Sequence, residues 1–113
     1  MEEGIFGKPL KVSRKFKKSV TEIFYYSFET FGQVQAERYL QKIEKAVDTL
    51  PQYYTAYPPC RHIPTKSRMY RNIILDAHLI IYRITKERIE VLDILHGASS
   101  IAKIRKTQSI RIN

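Results

Sequence analysis

Residues 71–96, RNIILDAHLIIYRITKERIEVLDILH, decide the fold. Two apolar runs, Leu79–Ile84 and Ile89–Leu95, flank the charged tetrapeptide Thr85-Lys86-Glu87-Arg88. Branched and aromatic residues at strand length read as an antiparallel β-hairpin. Both runs are apolar at almost every position, which means burial on both sheet faces. A helical pair can cover only one face, so the C-terminal segment or another chain has to cover the second; a partner's helix in a groove would serve. His96 and Gly97 follow where the second strand runs out, and strand ends hold polar side chains still at a surface.

Working outward, Met69–Leu75 reads as a further strand and Cys60–Ile63 as a short one before Pro64. Upstream, Phe16, Val20, Ile23, Phe24, Ser27, Phe28 and Phe31 fall at helical spacing, with Ser13 as N-cap and Gly32 as the stop. Ala36, Leu40, Ile43, Val47 and Leu50 form a second stripe that Pro51 ends. Only Gly32 separates the two helices, so they pair as an antiparallel hairpin. Pro9–Ser13 reads as an edge strand, Met1–Gly7 as a loose leader, Ser99–Lys106 as a short helix and 107–113 as a mobile tail. The fold class is therefore α+β, in the order β-α-α-β-β-β with a closing helix: a two-helix hairpin on one face of a mostly antiparallel sheet.

The 113 residues form one domain, 43% hydrophobic and 27% charged. A single cysteine, Cys60, leaves no internal disulfide, which fits a reducing cytoplasm. No apolar stretch follows Met1 and none approaches the ~20 residues of a membrane span. Charge says more: 20 Lys and Arg against 11 acids give +9. Fourteen of the twenty lie in three acid-free segments, Lys8–Lys18, Arg61–Arg71 and Ser99–Asn113. Such a field suits RNA, DNA or an acidic protein, or simply keeps the protein soluble.

Metal chemistry finds little support. His62, His78, His96 and Cys60 form no CxxC or HxxxH pattern, and Cys60 with His62 supplies only two ligands; no metal or cofactor is expected. Scattered glycines exclude a phosphate loop. Acid–base cleavage of RNA has candidates. His96 can move a proton, Arg71 can hold a phosphate bidentately, and Lys66, Arg68 and Arg83 add positive charge. Tyr70 or Tyr82 can stack a base. The plainer readings are that His96 bonds to backbone at a strand end and that Tyr82 is core. The other tyrosines, Tyr25, Tyr26, Tyr53, Tyr54 and Tyr57, are expected to fill the helix–sheet junction with hydroxyls reaching water.

From about Val12 to Gly97 the chain resembles the RelE/ParE superfamily, the toxins of bacterial type II toxin–antitoxin modules. The resemblance rests on VSRKF opening the first helix, TEIFYYSFETFG, AERYLQKIEKAVDTL, Arg71 on the next strand, LIIYRI and IEVLDILHG. It implies a helical hairpin packed on an antiparallel sheet and an acidic antitoxin that wraps the basic toxin. RelE-like members cut messenger RNA on the ribosome; ParE-like members lack the nuclease residues and poison DNA gyrase. Arg71 and His96 match positions found in both branches. The LHG ending resembles the ParE branch, although Ala98, Ser99 and Ser100 stand where an acidic residue often follows. Both targets stay open at this point, as does a non-toxic basic RNA- or DNA-binding module.

Overall fold

The computed structural model describes residues 7–113; the leader read at the N-terminus falls almost wholly on residues 1–6, outside them. Leu10–Val12 form β1, and Ser13 then turns the chain into α1, Arg14–Phe31. The Ser13 hydroxyl accepts the Phe16 N–H at 2.8 Å and donates to the carbonyl of Leu92, so this cap also ties the helix to the sheet. Gly32, at φ 91°, reverses the chain in a conformation that a side chain would strain, and α2 follows over Gln33–Asp48. Pro51 is not the stop the sequence suggests. The helix breaks at Thr49, and Pro51 sits in the first turn of the short α3, Leu50–Tyr53, where a missing N–H leaves no helical bond unmade.

The sheet runs β1-β4-β3-β2, with β2 at Tyr70–Leu75, β3 at His78–Ile84 and β4 at Ile89–His96. β4 pairs antiparallel with β3 and parallel with β1, and β2 pairs antiparallel with β3. This is the expected α+β arrangement on a mixed, mostly antiparallel sheet. The strand read at Cys60–Ile63 does not form: only Pro59 bridges Arg71, and a turn closes with Ile63 N–H on the Cys60 carbonyl at 3.1 Å. Pro58, Pro59 and Pro64 bracket that stretch, and none of them offers a ladder donor.

One irregularity in β4 sets how both faces of the sheet pack. Ile81 faces Asp93 while Tyr82 faces Val91, which leaves Leu92 as an extra residue, a β-bulge. Before the bulge Ile89 and Val91 face the helices; after it Ile94 does, so alternation changes phase. Two cores result. Phe16, Ile43, Val47 and Leu50 pack on Ile73, Ile80, Tyr82 and Val91 beneath the helices. Cys60, Ile63, Tyr70, Ile81, Leu92, Leu95 and Ile104 make the second core on the other face. Each fully buried aliphatic or aromatic side chain contributes roughly 1.5–3 kcal/mol, so both faces matter to stability.

The chain's own C-terminus covers that second face. α4, Ile101–Lys106, is capped by Ser100 and buries Ile104. A 3-10 turn, Thr107–Ser109, follows, and then Ile110 and Ile112 pack against the second core. The stretch read as a mobile tail thus lies against the sheet, where two isoleucines spaced by one residue fit an apolar face better than water. The same tail takes the place of the partner helix considered for this face. Of the tyrosines assigned to the helix–sheet junction, Tyr54 and Tyr57 pack there, whereas Tyr25, Tyr26 and Tyr53 stand exposed.

Candidate functional site

The residues singled out in the sequence divide between the two ends of the sheet. Arg71 lies in the row Arg71–Tyr82–Val91, and His96 in the row Leu75–His78–His96. Along β3 these rows are four residues apart, about 13 Å at ~3.3 Å per residue. Arg71 and His96 are therefore not brought to one phosphate. Arg71 instead straps the connector to the sheet: its Nη1 donates to the Tyr57 and Thr55 carbonyls at 2.8 and 3.2 Å, and its Nε to the Arg68 carbonyl at 3.1 Å. Lys66 and Arg68 are exposed in the turn before β2, at the Arg71 end.

Two residues expected to meet nucleic acid are engaged within the fold. Tyr82 is 0% exposed and donates its hydroxyl to the Tyr54 carbonyl at 2.6 Å, so no base can reach its ring. Burial, modestly offset by Arg71, pushes its hydroxyl well above the ordinary tyrosine range. Arg83 is neutralised within the fold. It meets Glu90 at 2.6 Å, and Nη2 also donates to the Ile110 carbonyl at 3.1 Å. Arg88 holds the other Glu90 oxygen at 2.8 Å and donates to the Ile112 carbonyl at 2.6 Å. Burial would raise the Glu90 carboxyl, but hydrogen bonds and charge from both arginines outweigh it and hold it below the ordinary range.

The His96 end opens into a groove of about 880 Å³ between the helical hairpin and the ends of β3 and β4. Its floor holds His78 and His96, directly opposed in the ladder with ring centroids 5.7 Å apart. The Leu92 bulge makes this possible, because unbroken alternation would turn His96 to the other face. Lys15, Arg38, Lys42 and Lys103 line the groove, with Tyr26 and Phe31 as aromatic wall. Lys42 pairs with Asp76 at 2.8 Å. His96 Nδ1 accepts the Ala98 N–H at 3.1 Å, the backbone bond that the plainer sequence reading assigned to it.

Behind the floor, the Tyr39 hydroxyl lies 2.7 Å from His78 Nδ1 and 3.0 Å from the Leu75 carbonyl oxygen. Burial first, then the neighbouring His96, lowers the His78 pKa from its ordinary 6.5, partly opposed by Asp76. Burial, with a smaller contribution from Asp76, pushes the Tyr39 hydroxyl up to about 12. Sequence reasoning gave His78 no functional role beyond the metal count and missed Tyr39 and Lys42 altogether. The signal was the two histidines ending the hairpin, but pairing them needs the bulge. Among the described residues no three His, Cys, Asp or Glu side chains gather to hold a metal ion, and no helix is long and apolar enough to cross a membrane. Chemically, the groove suits an anionic chain segment with an apolar stripe.

Comparison with known proteins agrees with this architecture. The family described as the ParE toxin of the type II toxin–antitoxin system parDE matches residues 10–101. Toxin ParE1 of Caulobacter vibrioides is 25% identical over 89 residues, covering 79% of this chain and 88% of that protein. The solved chromosomal ParDE toxin–antitoxin system from P. aeruginosa superposes with a TM-score of 0.66 at 21% identity, covering 79% of this chain and 95% of the other. The chain belongs to the ParE toxin family of type II toxin–antitoxin systems. As such, it is one half of a pair whose other half is an antitoxin.

Proposed function

We propose that this ParE-type toxin stops growth in the cytoplasm by binding DNA gyrase, without cutting RNA. The observation that carries this reading is the separation of Arg71 from His96, about 13 Å along the strand, with Arg71 committed to three backbone carbonyls. In-line cleavage needs the phosphate cation and the proton-transfer group within hydrogen-bond reach of one reacting centre. A gyrase inhibitor needs no such constellation, only a stable contact surface. Arg71 then acts as a structural strap, and His96 belongs to a binding surface. Lys66 and Arg68, exposed together, serve as contact charges for the target.

The antitoxin is proposed to be acidic and to seat an amphipathic segment in the groove. Lys15, Arg38, Lys42 and Lys103 offer it charge, and Tyr26 and Phe31 offer apolar surface. Inducing the chain in bacteria while following DNA damage and translation separately tests the target. Damage and loss of gyrase supercoiling, with messenger RNA intact, are expected. Ribosome-dependent mRNA cleavage without DNA damage would overturn the gyrase reading, and unimpaired growth would favour a non-toxic nucleic-acid-binding module.

A further inference from the structure

The groove floor carries a proton-binding group that gyrase inhibition does not use. A carbonyl oxygen can only accept, so the Tyr39 hydroxyl directs its hydrogen to Leu75, 3.0 Å away. Its oxygen lies 2.7 Å from His78 Nδ1 and, with the hydroxyl hydrogen on Leu75, can accept from Nδ1–H. In that arrangement the hydrogen of the His78 ring is on Nδ1, and its Nε2 lone pair is the proton acceptor of the floor. Across the ladder, His96 Nδ1 is an acceptor for Ala98 N–H, so the hydrogen of that ring sits on Nε2.

The charged surroundings favour cations leaving and anions arriving. α1 contributes Lys15 and Glu22, and α2 contributes Arg38, Tyr39 and Lys42. The β2–β3 turn adds Asp76, already paired with Lys42, β4 adds His96, and α4 adds Lys103. Partial burial, and then His96 beside it, hold the His78 pKa below its ordinary value against the opposing pull of Asp76, so the ring is neutral in the free protein near neutral pH.

We propose that the groove floor is a carboxylate subsite: an acidic side chain of the docked partner segment meets His78 Nε2, and docking takes up a proton there. This rests on the reading of the groove as the antitoxin's seat and adds a partner chemistry and a pH dependence to it. A carboxylate beside His78 replaces like charge with opposite charge and supplies a charge-assisted hydrogen bond. The proton affinity of His78 is then higher in the complex than in the free chain. By linkage, the complex tightens as pH falls through the interval between those two values.

The test uses the full chain and a labelled amphipathic helical peptide with a leucine stripe and glutamates opposite. A peptide with glutamine in place of glutamate is the control. Fluorescence anisotropy at constant ionic strength compares about pH 8 with about pH 5.5, where imidazole titrates and glutamate stays ionised. The expected result is binding about tenfold tighter at the lower pH, matching a roughly tenfold rise in the proton affinity of one imidazole on docking. His78→Gln abolishes that ratio. His62→Gln keeps it, since His62 lies with α4, where its carbonyl accepts from Arg105. In parallel, the NMR titration midpoint of the His78 ring rises when the glutamate peptide saturates the wild-type chain, a readout independent of whether His78→Gln folds. Equal affinity at both pH values, the full ratio surviving in a folded His78→Gln, or an unmoved midpoint with peptide bound overturns the subsite. Absence of peptide binding at either pH instead removes the groove reading, and the subsite with it.

Discussion

The two ends of the β3–β4 ladder carry cross-strand pairs of opposite character. At one end Arg83 faces Glu90; at the other His78 faces His96. The first pair is charge-matched, reinforced by Arg88, and covered by the C-terminal tail whose carbonyls the two arginines hold. The second is a pair of like bases on the floor of a groove rimmed by cations. The contrast teaches that a surplus of basic residues is not one property. Some of these charges lock the fold together, and others are left facing solvent at a groove.

Breaking the closed end has the largest expected effect. The Arg83 and Glu90 side chains are only 13% and 9% exposed. Glu90→Ala leaves two guanidiniums without their counter-charge, and the expected loss in chemical denaturation is about 3 kcal/mol. The Glu90 carboxyl is held below its ordinary value of 4.5 in the folded chain. Its contribution is therefore complete above that value and disappears as pH falls through the lowered folded one. Wild-type stability should drop on acidification below about pH 4.5 by more than that of Glu90→Ala. Parallel curves would show that the pair does not stabilise this end.

Next in size is the tail. Ile110 and Ile112 are partly buried against the second core, so replacing both with alanine should cost about 2 kcal/mol and raise binding of a hydrophobic dye. An unchanged midpoint and no added dye binding would mean that the second face does not depend on this cover. Smallest is the open end. Lys42 and Asp76 are 52% and 54% exposed, so Lys42→Ala should change stability by no more than about 0.5 kcal/mol. The same substitution should weaken the glutamate peptide severalfold, measured by anisotropy, because Lys42 lines the groove. A large stability loss without a binding change would erase the distinction between the two ends.

Much of the scaffold was readable from local chemistry. Ser13 and Gly32 bracket α1 as capping rules require, and the Thr85–Arg88 turn separates the two strands as expected. The failures share a cause. Cys60–Ile63 has strand-like composition but lies between prolines that offer no ladder donor, and what 107–113 packs against needs the apolar sheet face it covers to be known. Tyr82 and Arg83 are adjacent and both polar enough to suggest a surface. One points into the helix-side core and the other pairs with Glu90 on the opposite face.

Periodicity, caps and apolar runs determined the α+β order by themselves, since those signals act over a few residues and need no distant contact. Charge composition likewise determined the sign of the chain's net charge, +9. Which charges remain available, and which histidines become neighbours, was decided only by tertiary structure. One extra residue at Leu92 shifts the phase of a strand, and that shift carries His96 to the face on which His78 already stands.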